Sequence, residues 1–227
     1  MGRLRRSVPR AMTPPFDNPA RRTQASRRDE SGRSLVQAAV AVVAEEGVSA
    51  ATFEAIGGKA GYSRGLATQR FGSKQGLIEA VIQHLHELQE AALAEHGIDD
   101  LPGFEAVLAY VDLYLRGLSS EAGGGRAYFM LLSSAVADAT AMRAAFAAEH
   151  GRVERRLEAL VLKGQAEGDI RRDLDADAAA LMIGSLLLGL SMQVLVDPET
   201  NLEPIRETSL ATLRLSFGAP GHDGGQP

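Results

Sequence analysis

Residues 55–78, AIGGKAGYSRGLATQRFGSKQGLI, contain no Asp or Glu, yet they carry Lys59, Arg64, Arg70 and Lys74. The chain of 227 residues is formally −5 at pH 7, so so long a positive stretch stands against its background. Arg presents a planar fork of donors suited to guanine or phosphate, and Gln pairs in the same bidentate way with adenine. Arg64 and Gln69 are therefore candidate readers of base edges. Thr52, Ser63 and Lys74 fall at expected helix starts, where hydroxyls, ammonium groups and backbone N–H groups grip phosphate. Chemistry of this kind addresses double-stranded DNA. The plainer alternative is a solvated basic face on a packing element.

Other chemistries find little support. The chain has no Cys, which removes disulfides, thiolate zinc sites and cysteine nucleophiles and fits a reducing cytoplasm. His84 and His86 are two apart on an expected helix, so they face different ways and do not chelate a metal as an i, i+4 pair would. The glycine run EAGGGRA lacks the GK[ST] ending of a phosphate loop, and no hydrolase, zincin or dinucleotide fingerprint occurs. No catalytic residue, metal or cofactor is expected.

Helices must position the basic window. Ala and Leu abound, aromatics are 5% of residues and there is no Trp, a mixture that favours an all-α fold. Apolar spacing predicts a first helix over 31–46, stopped by Gly47. Thr52, Ser63 and Ser73 can each cap the helix that follows, giving short helices over 53–60 and 64–71 and a long fourth helix. Later helices are expected near 102–119, 126–137, 141–168, 176–196 and 202–217. A helix, a tight glycine-containing turn and a second helix form the helix-turn-helix, here residues 52–71. Ile56, Ala67 and Phe71 would face inward and Arg64, Thr68 and Gln69 outward. The ends differ: residues 1–28 hold eight Arg and one Asp, a net of +7, and read as a disordered arm. Residues 218–227 read as a disordered tail. Between them lie a small N-terminal unit over 29–95, bridged onward by the fourth helix, and a larger helical unit over 96–217.

The patterns LVQAAVAVVAEEG, TFEAIGGKAGYSRG and RFGSKQGLIEAVI, residues 35–47, 52–65 and 70–82, resemble the TetR family of bacterial transcriptional regulators. The resemblance covers about residues 31–85. It implies an operator-binding homodimer whose C-terminal helices form a small-molecule pocket and a four-helix dimer interface. Carried over by position, the DNA contacts are Thr52, Arg64, Gly65, Thr68, Gln69, Arg70 and Lys74, joined by Tyr62 and Ser63 at the turn. Four positions depart from the family pattern. Tyr62 stands where a small aliphatic is usual, Thr68 where a phosphate-gripping Tyr is frequent, and Gly57-Gly58 where Ala is usual. The last change costs about 1 kcal/mol per Gly in helix propensity.

The uncharged stretch 178–196 is long enough to span a membrane. Its flanks are Asp175, Asp177 and Asp197, and it includes Ser185, Ser191 and Gln193, so burial between two protein surfaces suits it better. In a homodimer one face would pack on its own subunit and another on the partner. Val153, Leu157, Leu160, Ala180, Gly184 and Leu188 are the expected dimer contacts. Phe104, Tyr110, Tyr114, Tyr128, Phe129, Met130 and Phe146 are the expected lining of a pocket for an apolar small-molecule effector. The resulting expectation is a cytoplasmic, ligand-responsive repressor on a palindromic operator. An all-α small-molecule binder or enzyme, keeping the helix-turn-helix only as packing, stands as the alternative.

Overall fold

Three hydroxyl groups punctuate the N-terminal helices. Thr52 Oγ1 accepts from the Ala55 N–H at 3.1 Å, Ser63 Oγ from Leu66 at 3.2 Å and Ser73 Oγ from Gly76 at 3.0 Å. Each bond satisfies one of the orphan donors that open a helix. The computed structural model describes residues 24–118, 124–137 and 141–220. Among them are nine α-helices: α1 Gln24–Glu46, α2 Phe53–Lys59, α3 Arg64–Phe71, α4 Lys74–Glu95, α5 Gly103–Gly117, α6 Gly124–Ala137, α7 Ala141–Glu167, α8 Ala176–Val196 and α9 Leu202–Phe217. Two single 3-10 turns, Val48–Ala50 and Ile98–Asp100, join α1 to α2 and α4 to α5.

The ends depart from expectation. The arm foreseen over 1–28 is helical from Gln24 onward, because 24–31 lacks Gly and Pro and includes the helix formers Gln24, Ala25, Arg27, Arg28 and Glu30. Residues 1–23 lie outside the described residues. The tail foreseen from 218 is pinned at its start. Gly218 bridges to Ile170, and the Ala219 N–H donates to the Asp169 carbonyl at 2.9 Å. Residues 221–227 lie outside the described part.

Two apolar cores form, and they do not divide at residue 96. One collects α5, α7, α8 and α9 around Tyr110, Leu157, Ile183 and Leu213. The other gathers α1 to α4 around Leu35, Val42, Ile56 and Ile82, yet Ala127, Leu131 and Ala135 of α6 and Phe146 of α7 complete it. α4 contributes Leu77 to Ile82 to the second core and Leu93 to the first, so it packs in both. α6 is a second bridge, packed on α1 along one side and on α7 along another. Arg156 of α7 fastens α4 from outside through Glu90, and bonds Asp99 at 2.7 Å. The α5–α7 crossing is backbone to backbone. A Cβ on Gly103 would meet Gly164 N at 2.1 Å, so no larger residue fits there.

The paired glycines of α2 differ in kind. A Cβ on Gly57 would meet the Tyr62 carbonyl oxygen and the Ser63 carbonyl carbon at 3.0 Å, because the chain entering α3 folds back onto this spot. That turn is closed by the Tyr62 N–H donating to the Gly57 carbonyl at 2.8 Å. Gly58 faces open space. Gly58→Ala should therefore stabilise the protein by about 0.5–1 kcal/mol in thermal unfolding. Gly57→Ala should destabilise it by ~1–3 kcal/mol through overpacking of the turn. Equal effects at the two positions would mean that helix propensity alone governs α2.

Candidate nucleic-acid interface and helical chamber

The second helix of the motif, α3, rests on Ala67, fully buried, with Leu66 and Phe71 packed against the same core. Its other face is solvent. Ser63, Arg64, Gly65, Thr68, Gln69 and Arg70 are all exposed, as are Thr52 and Lys74 at the neighbouring helix starts. Tyr62 is half-buried against the N-terminal core, so its ring serves packing first. The four cations of the acid-free window divide by partner. Lys59 pairs with Glu45 of α1 at 2.6 Å, and Lys74 Nζ donates to the Ser49 carbonyl at 3.4 Å. Arg70 lies along α1: a Cβ on Gly32 would meet its Nε at 2.9 Å. Arg64, at the first position of α3, forms no ion pair among the described residues. The Thr68 hydroxyl donates to the Arg64 carbonyl at 3.0 Å, which spends its proton inside the helix. Arg64 and Gln69 are thus the long side chains on this face best placed to reach beyond the protein.

Above this unit, α4, α5, α6, α7 and α8 surround a cavity of about 570 Å³. Of the expected lining, Tyr110, Tyr114, Tyr128 and Phe129 are in its wall. Phe104, Met130 and Phe146 are not. Phe104 is sealed in the C-terminal core near the α5–α7 crossing, while Met130 and Phe146 turn the opposite way into the core shared with α1. A Cβ on Gly47 would lie 3.6 Å from the Met130 methyl, which marks that contact with the end of α1. The reason is helical phase: Tyr128 and Phe129 point away from α1, and Met130 falls on the next face.

The expected dimer contacts also turn inward. Leu157, Leu160 and Ala180 belong to the subunit's own core, and Val153, Gly184 and Leu188 line the chamber. The few polar residues of this apolar helix, Ser185, Ser191 and Gln193, do not share one face, so the sequence alone does not orient it. The outward side of α8 carries Ala178, Met182, Gly189, Met192 and Val196, all exposed, and Ser185, also exposed, sits where this side borders the chamber. α8 is long and apolar enough to cross a membrane, with 28% of its most apolar window buried. Its inner residues Ala179, Ala180, Ile183, Leu187 and Ser191 pack in the protein core.

Polar groups missed by sequence reasoning converge in the chamber. His86 and Gln89 descend from α4, and His150 and Glu154 come from α7. Their spacings, three and four, place each pair on one helical face, and that periodic polarity on apolar stripes was the available signal. The Tyr128 hydroxyl stands 2.5 Å from His150 Nε2, and its ring meets His86 edge to face at 5.6 Å. His86 Nε2 is buried without a hydrogen-bond partner. Burial lowers the His86 pKa to about 4, helped by His150 and Arg152, so this imidazole is neutral at pH 7. Burial likewise lowers His150 and raises Tyr110, Tyr114 and Tyr128. On its far side Tyr128 packs edge to face on Phe146 at 5.2 Å, so one ring touches both the chamber and the N-terminal core. Among the described residues no group of acidic or His side chains could hold a metal.

Comparison with known proteins agrees with this architecture. Residues 35–81 match the model of bacterial regulatory proteins of the tetR family, and residues 102–215 match that of the BetI-type transcriptional repressor C-terminal region. Among solved structures, a TetR transcriptional regulator from Chloroflexus aurantiacus aligns with TM-score 0.75 at 20% identity, covering 85% of this chain and 98% of its own. SmeT, repressor of a Stenotrophomonas maltophilia multidrug efflux pump, aligns with TM-score 0.69 at 24% identity, covering 86% and 95%. A protein from Saccharomonospora viridis solved with choline aligns with TM-score 0.71 at 18% identity, covering 84% and 98%. These similarities concern the fold. No curated protein matches the chain. With both halves of the chain matched in order, and the exposed reading face of α3 between its caps, this protein belongs to the TetR family of DNA-binding transcriptional regulators.

Proposed function

We propose that the protein is a cytoplasmic, ligand-responsive repressor that binds a palindromic operator as a homodimer. The observation that supports this most is the double role of α6 and α4. Both line the chamber and both pack in the core that carries α3. A ligand that moves Tyr128 or His86 acts on elements that set the tilt of the reading helix. DNA favours the conformer whose two α3 helices are one duplex turn apart, and an effector favours another. Coupling of ~1–3 kcal/mol weakens operator binding about 5- to 150-fold. Two similar proteins have been solved with small molecules, SmeT with triclosan and the Saccharomonospora protein with choline.

The partner surface in this reading is the outer face of α8, with Leu162 of α7 beside it. Met182 is 47% exposed, Met192 40%, Val196 75% and Leu162 49%. Large side chains alternate with Ala178, Ser185 and Gly189, the knob-and-gap pattern that a second helix interlocks with. Two helices from each subunit then form a four-helix seam. This arrangement covers an apolar face otherwise left to water.

Three measurements test the proposal. Fluorescence anisotropy against duplexes selected from random sequence should give tight, salt-sensitive binding to a palindrome. Equal, weak binding to scrambled DNA would favour a helix-turn-helix kept for packing. Arg64→Ala should cost about 1–3 kcal/mol of operator binding and relax base preference at one position per half-site. Unchanged affinity and selectivity would take Arg64 out of the reading face. The double variant Met182→Glu, Met192→Glu should run as a monomer in size-exclusion chromatography with light scattering and lose operator affinity. A persistent dimer would move the interface elsewhere.

A further inference from the structure

Two tyrosine hydroxyls of the chamber wall, those of Tyr110 and Tyr114, have assigned proton directions. Ser191 Oγ donates to the Leu187 carbonyl at 2.8 Å, so in its 3.0 Å contact with Tyr114 it is the acceptor and the phenol donates. The Tyr128 hydroxyl shares one hydrogen bond with His150 Nε2, in a direction set by the imidazole tautomer. Tyr110 is different: it accepts from Gln89 Nε2 at 2.9 Å, and its own proton has no acceptor among the described residues. Tyr110 and Tyr114 are one turn apart on α5, hence on one face. Side by side they offer an unspent O–H and an unspent oxygen lone pair.

One simple group answers both. A neutral hydroxyl donates and accepts through a single oxygen, whereas an ether accepts only and a quaternary ammonium does neither. The wall carries no net formal charge, one Arg standing against one Glu. Glu149 is paired with Arg152, and Arg156 with Glu90 and Asp99. Arg126 of α6 and Glu154 of α7 remain on the lining with opposite signs, and α5 and α8 add no charged side chain to it. Most other lining residues are aliphatic or aromatic, Leu85, Phe129, Val153 and Leu187 among them. The neutrality of His86 is consistent with the same environment, since burial, His150 and Arg152 all oppose a positive charge there.

We propose that the chamber takes an apolar molecule bearing one uncharged hydroxyl, which donates to the Tyr114 oxygen and accepts from the Tyr110 O–H. The assignment rests on the effector reading of the chamber. Calorimetry on the full chain with four matched probes tests it: 4-hexylphenol, 4-hexylanisole, 4-hexylbenzoate and (4-hexylphenyl)trimethylammonium. The phenol should bind roughly tenfold or more tighter than the other three, the worth of one to two buried hydrogen bonds. Tyr110→Phe and Tyr114→Phe, checked for an unchanged fold by thermal unfolding, should each bring the phenol-to-anisole ratio down to roughly threefold or less. Tighter binding of the benzoate, the ammonium or the ether would overturn the hydroxyl assignment while leaving the chamber a ligand site. An unchanged ratio in both variants would overturn it as well. Binding of the phenol with no change in operator affinity would support the assignment and contradict the effector reading. No binding of any probe would contradict both.

Discussion

The DNA-reading helix has no core of its own to stand on. α2 has seven residues and α3 eight, and helices so short are marginal in water without neighbours. α1 and the first half of α4 supply part of the cover through Leu35, Val42, Leu77 and Ile82. The remainder comes from far along the chain, through Ala127, Leu131 and Ala135 of α6 and Phe146 of α7. Interiors are close-packed and transmit displacement, so whatever repositions α6 is felt at α1 and, through it, at α3.

In the proposed mechanism that constraint gives the chamber its leverage. α6 is a partition with an apolar core on one side and the cavity on the other. Tyr128 faces the cavity beside His86 and His150, and its ring packs on Phe146 behind. α4 runs from the Ser73 cap beside α3 to the His86 and Gln89 positions of the chamber wall, about 20 to 24 Å at the rise of an α-helix. Arg156 grips the outside of α4 through Glu90. In the proposed mechanism these two bridges are the bistable element, and the exposed face of α8 links it to a second reading helix in the partner.

Much of this was legible in the sequence, and for local reasons. The hydroxyls Thr52, Ser63 and Ser73 announce three helix starts because a cap needs only the residue and the next turn. Gly57 was readable only as a cost in propensity, since the Tyr62 carbonyl that excludes a Cβ lies across the turn. α6 as a second bridge was not legible: Met130 and Phe129 are adjacent apolar residues, and only the angle at which α6 meets α1 decides which faces the cavity. The same holds for α8, where Leu157 and Ala180 were expected outside and are sealed inside while Met182 and Met192 take the surface. Composition describes a helix apolar all round; packing alone orients it. His86 and His150 were passed over because their meeting place depends on three helices converging.

The central claim is that the DNA-reading unit and α6 are one cooperative structure. Native-state hydrogen exchange on the full chain, followed against low denaturant concentrations, measures this directly. The account predicts that protected amides in α1, α3, the first half of α4 and α6 share one opening free energy and one denaturant dependence. If α1 to α3 opened together at lower free energy while α6 stayed protected, the shared core would not couple chamber to DNA, and the account would be contradicted.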